Sequence, residues 1–199
     1  MSQDIYEIHA VKYGQHARRS GENFIGGDPH DVPMPLDYYV WVVRNAARTV
    51  VVDTGFNAAA ADKRGRTLVH PVAEGLAALG VAAETVGDVV ITHLHYDHAG
   101  NVPLFGRARF HLQDQEMAFA TGRCMCHSLL SHGYSADDVT VMVHKVFDGC
   151  VQFHDGMATL APGIELHHIG GHTRGLQVVR VMTRRGWVVL ASDASHFYA

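Results

Sequence analysis

The stretch ITHLHYDHAG, residues 91–100, begins in the apolar run 89–91 and places three histidines and one aspartate within residues 93–98. These four polar side chains need partners at the end of an apolar strand, because an unpaired buried polar group costs roughly 2–7 kcal/mol. Imidazole and carboxylate groups are ligands that zinc and similar metals take. The pattern therefore predicts a metal site at the end of a buried strand, with a hydrogen-bonded polar cluster as the alternative.

The spacing within residues 93–98 predicts two ions rather than one. His93 and His95 lie two residues apart, so on an extended segment their side chains point the same way. The chain then turns, and Asp97 and His98 approach from a second direction. One ion cannot comfortably use all four groups, whereas two adjacent ions can share them. Paired ions about 3.5–4 Å apart hold a nucleophilic hydroxide beside a developing oxyanion, which is a hydrolytic arrangement.

Two further candidate ligands follow apolar strands much later in the chain. His172 lies in the glycine-rich turn GGHTRG after the predicted strand 164–169, and Asp193 follows the apolar run 188–190. Strand ends that meet at one edge of a sheet bring such distant residues together. The chain has 16 histidines among 199 residues, and histidine is the commonest metal ligand.

Hydrophobic periodicity predicts an α+β fold of stacked sheets with outer helices. The predicted helices cover 70–79, 114–120 and a segment that begins at Ser135, where Asp138 completes a capping pattern. The predicted strands cover 38–43, 49–52, 88–92, 108–112, 151–154, 157–160, 164–169, 177–183 and 186–192. No linker or repeat divides the chain, so we expect one domain over residues 1–199.

Composition argues against several other classes of protein. With 16 basic and 20 acidic residues the formal charge is −4, and no basic run marks a nucleic-acid groove. No apolar stretch approaches the roughly 20 residues of a membrane span, and the N-terminus lacks the pattern of a signal peptide. Three cysteines are too few for a disulfide framework. We expect a soluble, cytoplasmic protein.

Taken together, these motifs resemble the metallo-β-lactamase superfamily over nearly the whole chain. Residues 93–98 match its His-x-His-x-Asp-His signature, and the VDTG stretch 52–55, His172 and Asp193 follow the family's order. The resemblance implies an αββα sandwich of two similar halves with metal ions at one sheet edge. It implies two divalent ions, zinc before other metals, held by His93, His95, Asp97, His98, His172 and Asp193.

Roles within this set also come from the resemblance. The family pattern assigns His93, His95 and His172 to the first ion, Asp97 and His98 to the second, and Asp193 to a bridge between them. Asp53 matches a family aspartate that orients ligands rather than binding an ion.

The chain is most similar to the N-acyl homoserine lactonases. The matching stretches are THLHYDHAGN, MPLDYYVWVV before VDTG, and SDAS near the end. This implies opening of a small lactone by a metal-bound hydroxide, with Asp97 or Asp193 relaying a proton to the leaving alkoxide. The lactonases often have a catalytic tyrosine three residues after the bridging aspartate. His196 occupies that position here and Tyr198 follows, so both are candidate catalytic residues.

The end of the chain raises an expectation of its own. Ala199 comes a few residues after a predicted strand, with no closing helix, so we expect the N-terminal portion of a longer protein and an incomplete second half. The resemblance then places one more histidine ligand of the second ion beyond Ala199. The alternatives are a thioester hydrolase of the glyoxalase type and an inactive metal-binding fragment. β-Lactam hydrolysis and phosphodiester cleavage are less favoured, since a signal peptide and a basic groove are absent.

Overall fold

A computed structural model describes residues 4–197, which form two β-sheets with helices. The first sheet has seven strands in the order β4-β1-β2-β3-β5-β6-β7, and the second has four in the order β11-β10-β9-β8. The strands are β1 (Glu7–His16), β2 (Leu36–Arg44), β3 (Thr49–Val52), β4 (Thr67–Leu68), β5 (Asp88–Val90), β6 (Arg109–Gln113), β7 (Val151–His154), β8 (Ala158–Ala161), β9 (Ile164–His168), β10 (Gln177–Thr183) and β11 (Gly186–Leu190).

Strand direction decides which residues reach the same edge of each sheet. In the first sheet β3, β5, β6 and β7 are parallel neighbours, so their carboxyl ends share one edge. In the second sheet β9 and β11 both run antiparallel to β10, which lies between them, so they too end at a common edge. Ligands of open α/β sheets bind outside carboxyl strand ends of this kind.

Most of the helices pack against one face of the first sheet. The helices are α1 (Ser20–Asn23), α2 (Ala58–Arg64), α3 (Val72–Ala78), α4 (Tyr96–Ala99), α5 (Asp114–Ala120), α6 (Ser128–Ser131) and α7 (Ala136–Phe147). One apolar core joins helix residues such as Leu76 and Met142 to strand residues such as Val89 and Phe110. A second core joins the two sheets through Val52 and the residues of the second sheet that face it. This mixed fold of helices and stacked sheets confirms the predicted fold class.

Most predicted elements are present, with bounds that shift by one or two residues. Helix α5 has the predicted bounds, and the Ser135 side chain caps α7 by accepting from the backbone N–H of Asp138. The long strand β1 was not predicted. Its sequence EIHAVKYGQH lacks clean alternation, and a register irregularity between Lys12 and Gly14 interrupts its pairing with β2.

Every helix between residues 4 and 197 is too short or too polar to cross a lipid bilayer.

Candidate metal centre

The first wall of the site is built at the ends of β3 and β5. Asp53 follows β3 with φ at 63°, a conformation that few residues other than glycine adopt, and its side chain is fully buried. Its backbone N–H donates to the Val90 carbonyl at 2.8 Å, and its Oδ1 accepts from the backbone N–H of Thr92 at 2.8 Å. Asp53 therefore fixes the start of the loop that carries the histidines.

Three histidines converge at this edge. The ring of His93 lies 4.5 Å from that of His95 and 5.0 Å from that of His172, which comes from the loop between β9 and β10. Nε2 of His172 is 3.1 Å from Nδ1 of His95. Each ring offers one nitrogen, and the three nitrogens lie within 4.8 Å of one another. The structure thus brings His172 from the second sheet to the two histidines of the first.

Asp193 lies between two groups of histidines. It sits in a 3-10 turn (Ser192–Ala194) after β11. Its Oδ2 is 3.2 Å from Nε2 of His172 and 3.9 Å from Nε2 of His93. Its Oδ1 is 3.4 Å from Nε2 of His98. The two oxygens of one carboxylate therefore face two different sets of imidazoles, as a bridging ligand requires.

His98 and Asp97 form the other side of the site. Nδ1 of His98 donates to Oδ2 of Asp53 at 2.7 Å, and its Nε2 faces Asp193 in the site. Oδ2 of Asp97 is 3.8 Å from that Nε2. Among residues 4–197 Asp97 belongs to none of the three-donor groups, so its carboxylate lies near the cluster but less close than the sequence pattern implies.

The first group of histidines is held neutral. Burial lowers the pKa of His93 well below its usual value, and the His98 and His95 rings lower it further. Burial likewise lowers the pKa of His95 to about 3, with a contribution from His172. Burial also lowers the pKa of His172. Neutral imidazole is the form that binds metals, so these rings are in the correct state for an ion.

The pKa of His98 is shifted in the opposite direction to that of the other three histidines. Burial lowers its pKa, but the carboxylates of Asp193, Asp53 and Asp97 outweigh burial and raise it well above the usual value. These acidic groups attract positive charge to this point of the site. A divalent cation would satisfy the same carboxylates.

The residues present fit a bound metal ion. His93 is fully buried and, within the described part of the chain, its Nε2 has no hydrogen-bond partner. Buried polar atoms almost always have a hydrogen-bond partner, so this unpartnered nitrogen fits the position of a metal ligand. Zinc bonds of about 2.0–2.1 Å place two tetrahedral ligands about 3.3 Å apart. The separations of 3.1 Å between His172 and His95 and 3.2 Å between His172 and Asp193 are close to that value.

A buried glutamate that the sequence patterns did not indicate joins the ligand loops. Oε1 of Glu116, at the start of α5, accepts from the backbone N–H of Leu94 at 2.9 Å and from the Tyr134 hydroxyl at 2.8 Å. Its Oε2 accepts from the Thr173 hydroxyl at 2.6 Å and from the backbone N–H of Gly175 at 3.0 Å. Glu116 therefore fixes the loop of His93 and His95 relative to the loop of His172.

The cluster opens into a cavity of about 550 Å³. Its polar end is formed by His95, Asp97, His98, His172 and Asp193. Its walls include the aromatic and apolar side chains of Tyr38, Tyr39, Trp41, Phe119, Leu129 and Leu130. Leu129 is 87% exposed and Leu130 41% exposed, so the mouth offers apolar surface to a ligand.

Of the two candidate catalytic residues near the end of the chain, His196 lies beside Asp193. Nε2 of His196 lies 3.1 Å from Oδ2 of Asp193, and His196 lines the cavity. Tyr198 lies outside the described residues.

The model of one family matches most of the chain, from residue 34 to residue 198: the Metallo-beta-lactamase superfamily. The chain belongs to this superfamily. The match includes the whole of the histidine cluster, and it confirms the resemblance that the His-x-His-x-Asp-His signature indicates.

Two curated relatives of this superfamily member are N-acyl homoserine lactonases named AiiB. The protein from Agrobacterium fabrum is 32% identical over 127 residues, which cover 62% of this chain and 45% of the relative. The protein from Rhizobium rhizogenes is 29% identical over 182 residues, which cover 83% of this chain and 64% of the relative. The chain thus spans about half to two thirds of the length of these relatives.

Solved structures show the same fold. A quorum-quenching N-acyl homoserine lactone lactonase superposes with a TM-score of 0.77 at 20% identity, covering 98% of this chain and 76% of the other. The dizinc quorum-quenching lactonase AidC, in complex with a homoserine product, superposes with a TM-score of 0.72 at 18% identity, covering 92% and 70%. At these identities the likeness establishes the metallo-beta-lactamase fold and not the reaction.

Proposed function

We propose that the chain is a metal-dependent hydrolase that opens a small lactone, with N-acyl homoserine lactones as the preferred class. The main support is that one cavity contains both a cluster of converging ligand atoms and an aromatic and apolar wall. The AiiB relatives are N-acyl homoserine lactonases, which favours this class over other substrates of the superfamily.

In this proposal the chain holds two divalent ions, with zinc as the preferred metal. The residues that would hold them are His93, His95, Asp97, His98, His172 and Asp193. Support comes from the unpartnered Nε2 of His93 and from the carboxylate of Asp193, whose two oxygens face different imidazoles. The neighbour AidC is a dizinc enzyme. When bound, such ions would act as Lewis acids and would make water a stronger nucleophile at neutral pH.

The cavity suits a molecule with a polar ring at one end and an apolar chain at the other. We place the lactone ring at the end formed by His95, His98 and Asp193, and the acyl chain along Phe119, Leu129 and Leu130. Burying an apolar chain against exposed leucines contributes about 25 cal/mol for each Å² removed from water. Longer acyl chains should therefore bind more tightly until they extend past these side chains.

In this proposal the side chains of the site position the lactone and transfer one proton from the attacking water to the leaving alkoxide. Water adds to the carbonyl carbon, the ring C–O bond breaks, and the alkoxide that leaves takes up a proton. Asp97 and Asp193 are the carboxylates beside the polar end, so either is placed to pass that proton to the alkoxide. The product is a hydroxy acid that ionises, so one proton is released for each ring opened.

A pH-indicator assay tests the proposal. Zinc-loaded and cobalt-loaded protein should release one proton per N-acyl homoserine lactone, and the His144→Ala variant, changed at an exposed position on α7, should match the unmodified chain. Thioester, β-lactam and phosphodiester substrates run in parallel. Hydrolysis confined to thioesters would support the glyoxalase-type alternative and reject the lactonase proposal.

A further inference from the structure

We propose that His196 is an additional protein ligand of the metal centre, contributing its Nε2 to the ion that His172 and Asp193 face. The metal ligands assigned from the family pattern do not include this residue. The inference rests on the metal site of the proposed function, and on no feature of its substrate.

Distances within one group of donors carry the inference. Nε2 of His196 lies 3.1 Å from Oδ2 of Asp193, and Nε2 of His172 lies 3.2 Å from the same oxygen. These three ligand atoms lie within 4.8 Å of one another. Tetrahedral zinc with bonds of about 2.0–2.1 Å separates its ligand atoms by about 3.3 Å. His196 is thus placed relative to Asp193 as His172 is, and His172 belongs to two of the three three-donor groups found among residues 4–197.

The segment that carries His196 is held against the site. Ser192, one residue before Asp193, lies with its Oγ 2.8 Å from Oγ1 of Thr92 in the histidine loop. On the other side, the ring of Phe197 packs 5.8 Å from that of Phe24. The His196 ring also packs at a steep angle, 5.7 Å from the His172 ring. Contacts on both sides keep the imidazole beside Asp193 although its side chain is 43% exposed.

A simple ion pair between His196 and Asp193 is the competing explanation. The two explanations predict opposite changes in metal affinity when His196 is removed. If His196 is a ligand, its removal takes a donor from the ion and weakens metal binding. If it only pairs with Asp193, its removal frees the carboxylate, and metal binding stays the same or becomes tighter.

Metal titration of the whole chain separates these outcomes. Demetallated protein is titrated with Zn²⁺ against a chromophoric chelator, and the visible spectrum of Co²⁺-loaded protein is recorded. The variants are His196→Ala and His196→Asn, because asparagine can still hydrogen-bond to Asp193 but is a poor zinc ligand. His144→Ala, at an exposed position on α7, is the matched control.

We expect both His196 variants to bind at least one ion more weakly by about 100-fold, since changes to groups that only orient ligands already cost 10–100-fold. The Co²⁺ spectrum should change with them and stay unchanged in His144→Ala. Affinities and spectra equal to the control, or tighter binding, would overturn the inference. Neither readout uses a substrate, so metal binding through His196 without lactone hydrolysis would reject only the proposed reaction. Lactone hydrolysis with metal binding unaffected by His196 would reject only this inference.

Discussion

Two groups of histidines lie at the sheets of this molecule, each with one buried member, His93 or His111, and they are built differently. In one, His93, His95 and His172 direct one nitrogen each toward a common point, and Nε2 of His93 has no hydrogen-bond partner among residues 4–197. In the other, Nδ1 of His111 lies 3.1 Å from Nε2 of His154, and Nε2 of His111 lies 3.1 Å from Oδ1 of Asp88.

The second group is a chain of contacts rather than a point of convergence. Both nitrogens of His111 are used, and the far oxygen of Asp88 accepts from Arg48 at 3.1 Å. A histidine-rich cluster therefore indicates a metal site when its donor atoms converge and a buried one, here Nε2 of His93, has no hydrogen-bond partner among residues 4–197. Where both nitrogens of the buried ring already have a neighbour, as in His111, the cluster needs no ion to satisfy them.

The largest expected effect comes from changing one buried histidine in each group. His93→Ala should lose bound metal and lower lactone hydrolysis more than about 100-fold, because changing residues that only support ligands already costs about 10–100-fold. His111→Ala should keep both properties. His93 is 0% exposed and His111 6% exposed, so the two variants remove equally buried rings.

Elemental analysis and the proton-release assay compare the two variants, and circular dichroism confirms that each is folded. If His111→Ala fails to fold, His154→Ala replaces it, since His154 belongs to the same chain of contacts. Equal loss of metal in both variants would break the distinction between the two groups.

A smaller loss of metal affinity is expected when an aspartate that hydrogen-bonds to a histidine is changed beside the converging histidines, and no loss when one is changed in the second group. Asp53 orients His98 and Asp88 contacts His111. Asp53→Asn should weaken metal binding about 10–100-fold, because the ring of His98 loses its charged acceptor. Asp88→Asn should leave metal binding unchanged. Titration against a chromophoric chelator measures both, and unaltered affinity in Asp53→Asn would show that the first aspartate has only a structural role.

The smallest effect is a pH dependence of folding in the second group. The hydrogen bond with His111, with help from Arg48, lowers the pKa of Asp88 below its usual 3.8. A lowered folded-state pKa stabilises the fold above pH 3.8, and this contribution is lost as the pH falls through the folded value. Asp88→Asn should therefore reduce the free energy of unfolding by about 1 kcal/mol at pH 6.

Urea unfolding of the metal-free chain at pH 6 and below pH 3.8 measures this difference. The gap between the unmodified chain and Asp88→Asn should shrink at the lower pH. A gap that stays constant would mean that the charge of Asp88 contributes nothing, and that the second group is held by packing alone.

What the sequence predicts well is local. His93, His95, Asp97 and His98 stand within six positions, so their spacing alone indicates a metal site. His172 and Asp193 are distant, but each follows an apolar strand, and the order of strands in the two sheets brings those ends together.

What the sequence does not predict depends on contacts between distant segments. Glu116 is an ordinary residue in a helical stretch, and its role appears only when the loops of Leu94 and Thr173 are brought to its two oxygens. His111 and His154 carry no spacing signal, because their contact arises from the pairing of β6 with β7. Helix α2 is not among the predicted helices, although the residues at its two ends, the capping Asn57 and the left-handed Gly65, are ones that commonly bound a helix.

X-ray absorption on the zinc-loaded chain reports the atoms bound to the ion, and it therefore shows whether the converging histidines bind metal. We expect nitrogen and oxygen ligands at about 2.0–2.2 Å with outer scattering from several imidazole rings. His93→Ala should reduce that imidazole scattering, and His111→Ala should not. Zinc surrounded only by oxygen ligands, or the same spectrum in His93→Ala as in the unmodified chain, would contradict the assignment of the converging histidines as a metal centre.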